Sequence, residues 1–227
     1  VSEPALSHGG EAGALSPDFH VAHHFDSADT QFDAGKLGIW LFLVTEVLLF
    51  GGLFCAFAIF RTWYFAGFVE GHHHLDKIMG GINTVVLITS SLTMALAVRA
   101  AQTNNKSLSA LLIGLTLACA MAFLCIKYVE YSHKFHEHLL PGAFYKGPAV
   151  HATRHEIGLF FTVYFMMTGI HGLHVIIGMG LMTWVLVRTL KGQFSSRYYA
   201  PVEGVGLYWH LVDLVWIYLF PLLYLVG

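Results

Sequence analysis

Five long apolar stretches, separated by short polar connections, organise this chain. Crossing about 30 Å of hydrocarbon at 1.5 Å per residue takes about 20 apolar residues. The first stretch runs over 37–60 (LGIWLFLVTEVLLFGGLFCAFAIF) and the second over 78–98 (IMGGINTVVLITSSLTMALAV). The others cover 108–129, 157–187 and 205–226. Small and hydroxyl residues in the second suit close helix contacts. The fourth is longer than one crossing needs, which predicts a helix that tilts or projects beyond the bilayer. No turn-forming cluster interrupts 161–190, so that segment reads as one helix. Pro221 predicts a kink near the end of the fifth. The pattern therefore predicts an all-α integral membrane bundle of five transmembrane helices over 36–227, preceded by a polar tail over 1–35.

The tail is rich in Gly, His and Asp and contains no apolar h-region. It reads as a surface or interfacial segment rather than a signal peptide. Between the spans, the loop 61–77 carries His72, His73 and His74, and the loop 130–155 carries Pro141, Gly142, Gly147 and Pro148. An odd number of spans places the termini on opposite faces. One face collects Lys36, Arg99, Lys106, Arg188, Lys191 and Arg197, and the other Arg61, Lys77, Lys127, Lys134, Lys146 and Arg154. The second set sits among Glu70, Asp76, Glu130, Glu137 and Glu156. Acidic residues contribute little to topology, so the count only leans toward a cytoplasmic N-terminus.

Composition agrees with the membrane class. Hydrophobic residues make up 56% and charged residues only 11%, against about 25% charged in soluble domains. Lys+Arg 12 against Asp+Glu 14 leaves no basic excess to hold a phosphate backbone, which argues against nucleic acid as a partner. Cys55, Cys119 and Cys125 all fall inside apolar runs, without the spacing of a haem attachment, zinc or iron–sulfur motif. They read as small residues packed between helices.

An ionisable group in a span costs about 2.5–3.5 kcal/mol on insertion scales, so each one asks for a reason. Glu46 sits about 13 Å into the first span, among Val44, Val47, Leu48 and Leu49. Two readings stand. Its carboxyl group faces a cavity, a lipid headgroup or a proton path, or it bonds a hydroxyl or histidine on a neighbouring helix. His171 and His174 are i, i+3 on the fourth span, as are His210 and Asp213 on the fifth. These four are expected to meet between the two helices and satisfy one another. The rival is a haem or metal site, histidine being the commonest metal ligand. Two histidines three apart on one helix cannot take opposite faces of a haem, so such a site needs one from each helix. The His72–His74 run reads as a solvated loop, with metal binding as its rival. Glu130 and Lys134 form an i, i+4 pair at the end of the third helix, and Lys127 is placed to snorkel to the interface. Helix capping and a subunit contact both fit that cluster.

Five ordered motifs carry a resemblance: LFLVTEVLLFGG, INTVVLITSS, KYVEY, TGIHGLHVIIG and YWHLVDLVWIYLF. Over roughly 36–227 the chain resembles subunit III of the haem–copper cytochrome c oxidases. That family usually has seven spans, the first two separated from the other five by a lipid-filled cleft. This chain resembles the shorter bacterial form without those two, which removes the cleft's other wall. The resemblance implies a bacterial inner membrane protein with a cytoplasmic N-terminus and a periplasmic C-terminus. It implies subunits I and II as partners, bound phospholipid, and a respiratory supercomplex as a further assembly. Haems and copper belong to those partners; no catalytic residue, metal or cofactor is implied in this chain. Glu46 matches the buried carboxylate of the family's Thr/Ser-Glu motif, the position known for reaction with carbodiimides. Arg188 matches an arginine that holds lipid phosphate, with Lys191 about one turn on, and basic groups at that level suit an anionic headgroup.

The implied role is supportive. The oxidase passes electrons from cytochrome c to oxygen and pumps protons. Subunit III shields subunit I, sustains proton uptake and protects against turnover-dependent inactivation. Within the family, subunit III of a quinol oxidase and the homologue accompanying nitric oxide reductase are alternatives. Outside it stand a membrane haem protein using His171 and His210, and a proton-coupled transporter with Glu46 as carrier. Transporters typically show internal repeats, and none is found here.

Overall fold

The computed structural model describes residues 28–150, 152–194 and 199–225. Most of the polar tail, up to residue 27, and Arg197 lie outside the described residues. Five long helices form as expected: α1 (Ala28–Trp63), α3 (Lys77–Gln102), α4 (Lys106–His136), α5 (Arg154–Leu190) and α6 (Ala200–Phe220). Each is long and apolar enough to cross a membrane. Backbone groups inside lipid must be satisfied by the protein, and a long continuous apolar run does this within its own segment as a helix.

Helix starts follow local chemistry. Asp76 caps α3 by accepting from the N–H groups of Ile78 (2.8 Å) and Met79 (3.2 Å). Asn105 accepts from Leu108 N–H (3.2 Å) to start α4. Thr153 and Glu156 form a capping box at the start of α5. The 37 residues of α5 span about 55 Å, well beyond the hydrocarbon, as its sequence length predicts. At the other end of the chain Pro221 closes α6, and a π-helical turn over Pro221–Leu225 follows. The missing proline N–H breaks the i→i−4 ladder there, and the turn carries Tyr224 fully inside.

α3, α4, α5 and α6 pack in a ring, each against its two neighbours. The largest buried side chains, Trp209, Trp216, Tyr164, Tyr224 and Phe123, fill its middle. α1 lies outside this ring, against α6, α5 and the short helix α2 (Phe65–His72). Half of the most apolar stretch of α6 is buried, but only 17% of that of α1. Leu37, Leu41, Val44 and Leu48 of α1, and Ile78, Ile82 and Val85 of α3, face outward. An apolar outer face is what lipid or a membrane partner requires.

Three expectations need correction. The segment 61–77 is not simply a loop, because it contains α2 (Phe65–His72). Gly67 and Gly71 let α2 lie directly on α5: a Cβ at Gly67 would stand 2.5 Å from Glu156 Cβ, and one at Gly71 would enter the Phe160 ring. Within the histidine run, His73 is exposed, yet His72 is buried and its Nδ1 hydrogen bonds the Leu223 carbonyl at 3.1 Å. Burial pushes the His72 imidazole below its ordinary pKa, in keeping with a neutral ring donating one hydrogen. The cysteines, in turn, are not packed between helices. Cys55 and Cys125 face outward and Cys119 is half-buried, because their positions fall off the buried stripes of α1 and α4.

Candidate functional site

The inner face of α1 is a narrow stripe of Leu43, Glu46, Phe50 and Phe57, spaced at helical turns. Through this stripe Glu46 meets α5. Its Oε2 lies 2.7 Å from His174 Nε2, with the two side chains 13% and 11% exposed. His174 Nδ1 lies 2.7 Å from the Ile170 carbonyl. A carbonyl oxygen only accepts, so Nδ1 carries a hydrogen. One proton is then shared across the Glu46–His174 contact, as an acid donating to a neutral ring or an imidazolium donating to a carboxylate. Either arrangement avoids a bare charge in hydrocarbon, which is costly. The Phe50 ring meets His174 edge-on at 5.1 Å, and Tyr208 of α6 donates to the His174 carbonyl at 3.1 Å. The pair thus joins α1 to both α5 and α6. Of the two readings of Glu46, this geometry realises the bond to a neighbouring histidine.

The four polar groups of the fourth and fifth spans do not satisfy one another, contrary to expectation. Three residues of helix turn His174 toward α1 and His171 into the ring. There His171 is fully buried, with Phe123 at 5.6 Å and Trp216 at 5.2 Å between ring centroids, and neither ring nitrogen has a hydrogen-bond partner among the described residues. His210 bonds Ser91 through Nδ1 at 2.7 Å, so the His171–His210 pairing is not formed. Asp213 Oδ2 meets Ser90 Oγ at 3.3 Å, its Oδ1 has no partner among the described residues, and Trp209 Nε1 donates to the same Ser90 at 3.0 Å. The reason is helix order. α6 lies against α3, whose serine pair reaches its polar groups before α5 can.

The cluster at the end of α4 also differs from the reading. Lys127 does not snorkel: it is 7% exposed, beside Glu130 at 2% and Lys134 at 3%. Lys127 Nζ lies 2.8 Å from Glu130 Oε2, and Lys134 Nζ lies 3.2 Å from Oε1. Tyr164 of α5 and Tyr224 of the final turn donate to Oε1 at 2.9 and 2.6 Å. Lys127 also donates to the Tyr224 hydroxyl at 2.7 Å and sits 4.7 Å above the Trp216 ring. One carboxylate thus holds two ammonium groups inside the protein. The stripe Ile113, Thr116, Ala120, Phe123, Lys127, Glu130, Lys134 is buried throughout. Its unbroken helical spacing was the available signal that these charges face inward. Tyr164 and Tyr224 gave no comparable signal, since only the fold brings them there.

Arg188 Nε donates to Gln193 Oε1 at 2.6 Å, and its guanidinium lies over the rings of Trp184 (4.9 Å) and Phe194 (5.6 Å). Lys191 follows as the exposed C-cap of α5. Both stand at the end of α5, far along the chain from Glu46 and outside its contacts.

A family model described as cytochrome c oxidase subunit III matches residues 19–227. The cytochrome c oxidase subunit 3 of Synechocystis sp. is 35% identical over 199 residues, covering 86% of this chain and 76% of that protein. A haem–copper oxidase subunit I+III of Aeropyrum pernix is 32% identical over 202 residues, covering 86% of this chain but 23% of that longer polypeptide. The cytochrome bo(3) ubiquinol oxidase subunit 3 of Pseudomonas aeruginosa is 30% identical, covering 94% and 95%. With the five-helix architecture matching the motif order read from the sequence, the chain belongs to the cytochrome c oxidase subunit III family.

Proposed function

We propose that this chain is the supporting, non-redox subunit III of a proton-pumping terminal oxidase. In this reading it flanks subunit I, while the haems and copper in subunits I and II carry electrons from cytochrome c to oxygen. It lies in a bacterial plasma membrane with its N-terminus cytoplasmic and its C-terminus periplasmic. The observation that supports it best is the state of α1: an apolar helix with only 17% of its most apolar stretch buried, attached to the bundle through the Glu46–His174 pair. A helix so exposed is suited to cover lipid or a neighbour, and Glu46 is positioned to keep it in place. Arg188 and Lys191 would meet lipid phosphate where α5 leaves the bilayer. Similarity to a ubiquinol oxidase subunit supports a second reading, in which quinol is the donor. Nothing in this chain need change between the two, because the donor site would belong to its partners.

The test is an oxidase prepared with and without this chain. Both preparations should give the same haem spectrum and similar initial turnover, and the one lacking the chain should lose activity after fewer turnovers. Equal decay of the two would contradict a protective role.

A further inference from the structure

Among the described residues, five buried side-chain atoms have no hydrogen-bond partner: both ring nitrogens of His171, both amide atoms of Asn83, and Asp213 Oδ1. His171 and Asn83 are fully buried and Asp213 nearly so. We propose that the middle of the α3–α6 ring is a water-binding site, in which at least two water molecules bridge His171, Asn83 and Asp213. The inference rests on the fold alone, so it stands or falls independently of the oxidase reading.

Trp216 places the three residues in one region. Its ring lies 5.2 Å from that of His171 on α5 and 4.9 Å from that of Phe123 on α4. Its Nε1 donates to Thr84 Oγ1 of α3 at 3.1 Å. Asn83 precedes Thr84 on the buried stripe Gly80, Asn83, Leu87, Ser90. Asp213 stands three residues before Trp216 on α6, about one helical turn away. All four helices of the ring thus converge on this level, and three of them bring an unpaired polar group to it.

The protein has no donor to spare there. The Thr84 hydroxyl is spent on the Gly80 carbonyl at 2.9 Å, that of Thr168 on the Tyr164 carbonyl at 2.7 Å, and that of Ser90 on the Leu87 carbonyl at 2.7 Å. Inside a membrane span no bulk solvent replaces these bonds, and polar groups left without them are costly.

Donor and acceptor counting selects the occupant. A neutral imidazole offers one donor and one acceptor in either tautomer, and an amide offers both whichever way it is turned. The unpaired set therefore mixes the two kinds. A cation satisfies only the acceptors and an anion only the donors, whereas water serves both. The Lys127 ammonium, 4.7 Å over the Trp216 ring, further disfavours a cation. A buried water makes about three hydrogen bonds, which matches a site with polar groups on three helices. The two imidazole nitrogens point away from each other, so one molecule cannot serve both, and this sets the minimum at two.

The experiment uses the full chain, purified in mild detergent with its co-purifying subunits. Brief X-ray pulses turn bound water into hydroxyl radicals where it sits, and a scavenger in the bulk removes those formed outside. Peptide mass spectrometry then reads the oxygen added to each side chain. Phe123 and Phe160 are the same residue type and each 1% exposed, but Phe160 has Phe68 and Phe161 as its ring neighbours. Phe123 and Trp216 should gain oxygen while Phe160 does not. His171→Phe combined with Asn83→Leu should lose the label at both Phe123 and Trp216. His171→Gln, which keeps a donor and an acceptor, should retain it. A wild type in which Phe123 is labelled no more than Phe160, or a double variant labelled at the wild-type level, would overturn the site. Should the double variant fail to assemble, the wild-type comparison of Phe123 with Phe160 decides alone.

Discussion

Glu130→Gln should destabilise the folded bundle by about 3–5 kcal/mol, the range for removing one partner of a buried ion pair. The carboxylate holds Lys127 at 2.8 Å and Lys134 at 3.2 Å, all three groups being almost fully buried. Glutamine keeps the shape and still accepts from Tyr164 and Tyr224, so the loss isolates charge from packing. Two ammonium groups would remain inside with no anion to balance them. A triple variant, Lys127→Met with Glu130→Leu and Lys134→Met, should recover most of the stability, because apolar replacement of a whole buried ionic group is often neutral. Tyr164 and Tyr224 hydroxyls stand 3.3 Å apart and can bond one another. Thermal melts of the assembled protein give the comparison. If Glu130→Gln melted like the wild type, the cluster would be a solvated one and its buried geometry wrong.

The second large effect belongs to Glu46. Glu46→Leu should cost about 1–3 kcal/mol, because it leaves His174 Nε2 buried without a partner. The loss should fall on the attachment of α1, which has little other burial to hold it. Glu46→Gln should behave almost as wild type, its amide donating to Nε2 while Nδ1 continues to donate to Ile170. Pairing Glu46→Leu with His174→Phe removes both polar ends together, and the double-mutant cycle should show a coupling of about 0.5–3 kcal/mol. Additive single effects in melts would mean that the pair does not join α1 to α5.

How far the fold could be read from the residues depended on the solvent the chain meets. The five spans were legible because a continuous apolar run of about 20 residues crosses hydrocarbon as a helix, so length and composition sufficed. α2 was missed because eight residues are too few for that signal. Its trace was the Gly67–Gly71 spacing, which marks a helix face pressed on another. Lys127 was misplaced because its charge was weighed by residue type, although its position continues the stripe of Ile113, Ala120 and Phe123. Glu46 was identified as needing a partner, and histidine was among those expected. Which histidine could not be read, since that depends on α1 packing beside α5. The same holds for His210 and Asp213, whose serine partners follow from α6 lying against α3. Sequence spacing gives the faces of helices; only packing decides which faces meet.

One purification addresses the whole account. A tagged full chain would be isolated from membranes in mild detergent, its reduced-minus-oxidised spectrum recorded, and the spectrum repeated after the chain is separated from whatever accompanies it. Haem–copper oxidase subunits should arrive with it, and every haem band should leave with them. A haem band that stays on the separated polypeptide, or a preparation free of any oxidase core, would contradict a flank that works beside redox centres it does not own.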